Sequence, residues 1–403
     1  MKNTLGEKYS PLYFLSSLGF GGMSVLFFMN LMHLTPHPKT AIPTFESVTA
    51  AWNAGGGLVR TMIAVAYIGI ALFFAIHLVL LAWNLRQLRA WKRTENYQAV
   101  VRSNAEVTLL AIPLTLGMTI NGLFIVAAIA IPGLWGIVEY LFPAALVGYG
   151  LVGVLALVYM GRYMNRVLHN GFDFKANGGL NQLLSAFAFS MVAVGFAAPA
   201  AMSQVTATVV AGLMGAAFFG VISGLLFLIF LPMGVMSMLR YGLNLGNSAT
   251  LWLGVPILTL WAITGLRSRH GLQSIASLTS DTKHPPSSTL VFLLLAVMLM
   301  AQLAFLFMGH RAMASNGFYR RFVFTTQEQS PAAFTLVCPG VALGVLSLFF
   351  LNVGLMKNGI LAAGSPGFVA VLVAAYAVQA VTIGLMVVLV RNQLLRPGVM
   401  LAR

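Results

Sequence analysis

The sequence predicts an all-α polytopic membrane protein. Ten transmembrane helices form five hairpins, with odd-numbered helices in an inner pore ring and even-numbered helices in an outer ring. Three observations carry this expectation. The 403 residues are 59% hydrophobic and only 8% charged, whereas a soluble globular domain carries about 25% charged residues. Apolar runs of about 20 residues recur along the chain, each long enough to cross a hydrocarbon core of about 30 Å. Prolines recur in alternate runs.

Residues 1–403 read as a single transmembrane domain. A polar lead, MKNTLGEKYS, precedes an apolar run too long for a signal peptide and without a small-residue cleavage site, so the run is expected to be retained. The expected spans are 11–34, 58–84, 106–131, 134–159, 182–202, 206–231, 249–266, 288–311, 331–354 and 367–391. The seventh is the shortest and is interrupted by Pro256.

Lys and Arg set the orientation. With the N-terminus inside, the outer segments hold Lys39, Arg60, Arg267, Arg269, Lys283 and Lys357. The other 17 of the 23 basic residues fall inside. The loop 267–287, with three positives outside, is the exception. Ten spans return the C-terminus to the cytoplasm.

Proline inside a helix frees a carbonyl and bends the axis. A membrane tolerates that only where protein or a water-filled cavity covers the freed group. Every odd span carries one: Pro11, Pro113, Pro199, Pro256 and Pro339. The even spans have Pro143 within the fourth and Pro232 at the end of the sixth. Kinked odd helices beside straighter even ones predict the two rings. In the first span, Gly19, Gly21 and Gly22 crowd a short stretch and are expected to bring backbone close to a pore.

Polar residues within spans are few. Thr115 and Thr119 share a helix face and, with Asn121, stripe the third span. Hydrogen bonding between helices is the plainer use for these threonines and for Gln302 and Gln379. Glu139 lies shallow in the fourth span near Trp135 and Tyr140, where its carboxylate is expected to reach water. His77 and His310 both fall toward the inner side, and a haem pair there is a minor alternative. His33 lies at the other end. Phe334, Phe349 and Phe350 are aromatic candidates for the pore wall or a plug. The single cysteine, Cys338, permits no internal disulfide.

The net charge of +15 sits in short loops, so no nucleic-acid partner is expected. CxxC, HExxH, P-loop and paired metal-ligand motifs are absent, and no cofactor or metal is expected. Very few fixed acids near the spans and basic rims favour negative solutes, so small inorganic or organic anions are the expected partners, with the lipid bilayer around the spans.

Three stretches, SSLGFGGMSVLFF, WLGVPILTLW and SPAAFTLVCPGVAL, resemble the tellurite-resistance/dicarboxylate transporter family, which includes the slow anion channels of plants. The resemblance covers roughly residues 10–395. It implies ten spans in five hairpins, odd helices around a central pore, a trimer and a place in a bacterial inner membrane. It also implies passage of small anions such as chloride, nitrate, sulfite, dicarboxylates or chalcogen oxyanions. A Phe of the family's ninth span plugs the pore. Aligning the family's Phe-Pro on Cys338-Pro339 puts a thiol, far smaller than a phenyl ring, in the plug's place. The chain is also similar to a bacterial subgroup of TsoY-type (seleno)proteins, in which selenocysteine stands in for cysteine. That similarity implies the alternative function, membrane redox chemistry at Cys338 on sulfur or selenium species. A lone thiol would then need an external resolving partner.

Overall fold

The structure, a computed structural model, describes residues 5–279, 288–325 and 328–395. It is 85% helical, and the described residues form no strand. Among the described residues, ten helices are long and apolar enough to cross a membrane: Pro11–Leu34, Gly57–Trp91, Asn104–Ala130, Leu134–Asn170, Leu183–Met202, Thr206–Tyr241, Leu245–Ala276, Thr289–Ser315, Pro331–Met356 and Pro366–Leu395.

The seventh span departs most from expectation. Its helix does not stop at residue 266, because no proline interrupts residues 257–279 and the polar run Arg267, Ser268, Arg269 and His270 continues the helix. The α-helix runs Gly254–Thr279 and takes Arg267 and Arg269 into the span. Both were expected in a loop. Lys283 lies outside the described residues.

Burial alternates along the chain. The most apolar stretch of each odd span is 89, 61, 89, 67 and 72% buried, in chain order. For the even spans the values are 44, 28, 33, 22 and 22%. Leu151, Leu228 and Val381 on even spans stand exposed, as residues facing lipid tails must. Each odd span also touches the next: first to third, third to fifth, fifth to seventh, seventh to ninth, and ninth back to first.

The starts of the odd spans lie together at one end, called the near end below. Tyr13 packs its ring on Phe334, centroids 6.1 Å apart. Ser330 donates to the Gly246 carbonyl, Leu180 N donates to Thr250 Oγ1 at 3.0 Å, and Gln182 Nε2 reaches the Asn104 carbonyl. Thr115 Oγ1 closes the circuit on the Phe14 carbonyl at 3.2 Å.

These starts share a local design. The segments Pro11–Tyr13, Asn104–Leu110, Leu245–Trp252 and Pro331–Leu336 are 3-10 helices that lead into α-helix at Phe14, Ala111, Gly254 and Val337. The fifth span opens with i→i+3 bonds, such as Leu183 N to Leu180 O at 3.0 Å. Pro113, Pro256 and Pro339 each sit on the third α-helical residue, with a leucine three places before: Leu110, Leu253 and Leu336. Where i→i+3 bonding gives way to i→i+4, one carbonyl is offered two donors. A proline there removes a surplus N–H and costs little, much as at a helix start. These three prolines therefore begin α-helix rather than kink the middle of a span, which corrects the expected bend. Pro143, Pro199 and Pro232 do lie inside helices, two of them on even spans.

Polar side chains tie the first span to the second. Ser17 and Ser24 of the first span meet the second at seven-residue intervals. Ser17 Oγ donates to the His77 carbonyl at 2.9 Å, and Ser24 Oγ donates to the Ile70 carbonyl at 3.0 Å. Asn84 Nδ2 donates to the Tyr13 carbonyl at 3.2 Å. In an apolar surround each such bond also removes the cost of an unmet donor.

Candidate functional site

A cavity of about 110 Å³ lies among the odd spans. All five contribute to its wall: Gly19 and Gly22 from the first, Met118 and Asn121 from the third, Met191 and Gly195 from the fifth. Thr259, Leu260 and Ile263 come from the seventh, and Cys338, Val341 and Phe349 from the ninth. The fourth span adds Tyr149. A second cavity of about 80 Å³ continues toward Ile42 and Met202 and shares Val25, Met29, Asn121, Tyr149, Gly195 and Arg267 with the first.

Among the described residues, Arg267 is the only charged one lining either cavity. Its Nη1 donates to the Val194 carbonyl at 3.2 Å. The ion pairs of the described residues, Arg166–Glu106 and Arg321–Glu328, do not include it. A guanidinium has five N–H donors, so one carbonyl leaves most of its capacity unused. The chain matches no protein-family model, no curated protein and no solved structure.

Local sequence explains how Arg267 is seated. Pro199 has no N–H to give the Gly195 carbonyl, and Gly195 lines both cavities. Arg267 docks one residue earlier, on the Val194 carbonyl. Gly195 must be glycine, because a Cβ there would lie 2.2 Å from the Tyr149 ring. The ring covers Gly195, and its hydroxyl donates to the Gly117 carbonyl at 3.2 Å. Asn121 makes no hydrogen bond to the described protein residues and faces both cavities.

The sequence-based candidates divide. Cys338, Pro256, Asn121, Gly22 and Phe349 border the first cavity. Gly21, Pro113, Pro339, Phe334 and Phe350 border neither cavity. A Cβ on Gly21 would strike Met118 Cγ at 2.6 Å and His77 Nδ1 at 2.8 Å, so this glycine serves close packing. Phe334 is buried against Tyr13 at the near end. Phe350 stacks on Phe292 of the eighth span, centroids 5.8 Å apart. A π-helix spanning Phe350–Met356 begins there, and Phe349 and Phe350, as consecutive helical residues, point to different neighbours. Phe349 meets His33 edge-on at 6.4 Å, and His33 lines an open vestibule with His37, Asn352 and Lys357 at the far end. Phe349 thus stands between cavity and vestibule.

The remaining polar candidates hold helices together. Glu139 accepts from Ser203 Oγ at 2.6 Å and Gln204 N at 2.7 Å, just before the sixth-span helix. A carboxylate at a helix start is favoured by the helix dipole. His77 is fully buried. Its Nδ1 lies 2.8 Å from the Ser17 carbonyl and its Nε2 lies 2.9 Å from Thr119 Oγ1, which leaves no ring nitrogen for a haem iron. His310 is exposed and bonds Tyr319. Gln302 Nε2 donates to the Val255 carbonyl at 2.8 Å, and Gln379 accepts from Asn30 at 3.4 Å. Among the described residues no group of three or more His, Cys, Asp or Glu side chains is placed to hold a metal ion.

Proposed function

We propose that this integral membrane protein is a channel or transporter that passes small anions through a pore of five odd spans. In this reading the odd spans form an inner ring in the order one, three, five, seven, nine, and the even spans form a lipid-facing outer ring. The alternation of burial and the circuit of odd-span contacts support that arrangement. The observation that carries the function is Arg267. An unpaired cation away from bulk water is costly, and attraction between charges strengthens as the dielectric falls. An anion entering the cavity supplies the missing charge, whereas a cation meets repulsion.

The reading extends to three properties that the resemblance implies. On this proposal the chain belongs with the tellurite-resistance/dicarboxylate transporter family and sits in a bacterial inner membrane as a homotrimer, and the Lys and Arg bias puts both termini in the cytoplasm. Cys338 borders the cavity as a small side chain and does not plug it. Phe349, eleven residues further along the ninth span, is the aromatic barrier between cavity and vestibule. Flux of a panel of solutes into proteoliposomes tests the reading. Small anions should enter faster than into protein-free vesicles, and potassium or sodium should not. Equal entry of cations, or no entry beyond the control, would contradict it.

A further inference from the structure

The residues shared by the two cavities restrict what kind of anion suits them. Tyr149 spends its hydroxyl on the Gly117 carbonyl. Thr259 spends its own on the Ala342 carbonyl at 3.1 Å. The donors left facing the junction are the Asn121 amide and the remaining N–H groups of Arg267. A guanidinium presents paired N–H groups in one plane, a shape that matches the two oxygens of a carboxylate better than a sphere. Arg267 is the one positive charge among the described lining residues. The rest of the first cavity is apolar, with Met29, Met191, Leu260 and Ile263 in its wall.

We infer that the cavity binds a short-chain monocarboxylate, with its oxygens on Arg267 and Asn121 and its alkyl part against Met191, Leu260 and Ile263. This deepens the reading above and rests on its placing of an anion at Arg267. A dicarboxylate fits poorly, because its second charge would lose water against an apolar wall that offers no second cation. A halide fills neither the fork nor the apolar space. Each added methylene should tighten binding by about fourfold until the cavity is full.

Thermal unfolding of the purified protein in detergent tests this, at constant ionic strength with the potassium salts of acetate, propionate, butyrate, succinate, nitrate and chloride. The midpoint should rise with monocarboxylates, more for propionate than acetate, and less with the other three. Arg267→Gln should abolish the rise, and Arg267→Lys should keep part of it. Should Arg267→Gln fail to fold, Ile263→Phe provides a second test. It should weaken the propionate and butyrate effects and leave that of acetate. A rise as large with chloride or nitrate as with propionate, no rise at all, or a rise that survives Arg267→Gln would overturn the inference. Anion flux without carboxylate stabilisation overturns this inference and leaves the transport reading in place. Carboxylate stabilisation without flux does the reverse.

Discussion

At the scale of the residue, the lone cysteine and the lone cavity cation have exchanged importance. Cys338 attracts notice in the sequence because it is the chain's only thiol and precedes a proline. In the structure it is one small side chain in a largely apolar wall, and Pro339 is one of three prolines at equivalent helix starts. Substitution separates a pore from thiol chemistry. Cys338→Ser should leave anion flux near the wild-type level, because the side chain barely changes size. Cys338→Phe should lower flux toward the protein-free background, because a phenyl ring takes up the cavity. Loss of activity in both variants would favour redox chemistry instead. Arg267 drew no such notice in the sequence, since a span drawn to residue 266 leaves it in a loop. A signal was present nonetheless. The loop 267–287 broke the charge bias, and WAITGLRSRHGL contains no breaker that ends a helix at Gly265. Single-position hydropathy cannot separate a cation facing a cavity from one facing water, because the distinction lies in which neighbours surround it.

At the scale of the element, proline position decides between kink and start. The odd-span prolines were legible as a pattern, but their physical role was not, because a 3-10 segment ahead of them cannot be read from composition. Pro339→Ala should fold and lower the unfolding midpoint by only a few degrees, in keeping with about 0.4–1 kcal/mol from lost chain stiffness. A proline that held a functional kink would instead change flux strongly when replaced.

The far-end helix Phe45–Ala54 supplies a pH-dependent contact. Its Glu46 Oε1 accepts from Gly133 N at 2.6 Å and ties the loop after the first span to the loop before the fourth. The Gly133 N–H, helped by Glu46's own backbone N–H and by Thr44, holds this carboxyl below its ordinary range. A depressed native value means that the contribution is present above the unfolded carboxylate value of about 4.3 and is lost as pH falls through the native value. Glu46→Gln should therefore unfold at lower temperature than wild type at pH 7. The gap should close as the pH is lowered below about 4. A gap that stays constant across that range would show that the tie is not carried by charge.

At the scale of the molecule, the sequence was most legible. Ten spans are expected and ten suitable helices are found, since apolar length is a local property that lipid imposes directly. Helix ends were less legible. The second, fourth and sixth helices run well past the expected bounds, to Trp91, Asn170 and Tyr241, because basic and polar residues can continue a helix beyond the hydrocarbon core. The shape of the site was not legible. Its wall draws on the first, third, fourth, fifth, seventh and ninth spans, and the glycines that let Tyr149 and Met118 approach do so through contacts distant in sequence.

The central claim is that an anion crosses the molecule beside Arg267. The most direct measurement is initial anion flux into proteoliposomes by wild type and Arg267→Gln, reconstituted at equal density and shown to have matching unfolding profiles. Loss of a charge-assisted hydrogen bond of about 1.5–3 kcal/mol predicts a flux at least about tenfold lower for Arg267→Gln at low anion concentration, with Arg267→Lys between the two. Equal flux in wild type and Arg267→Gln would contradict the account.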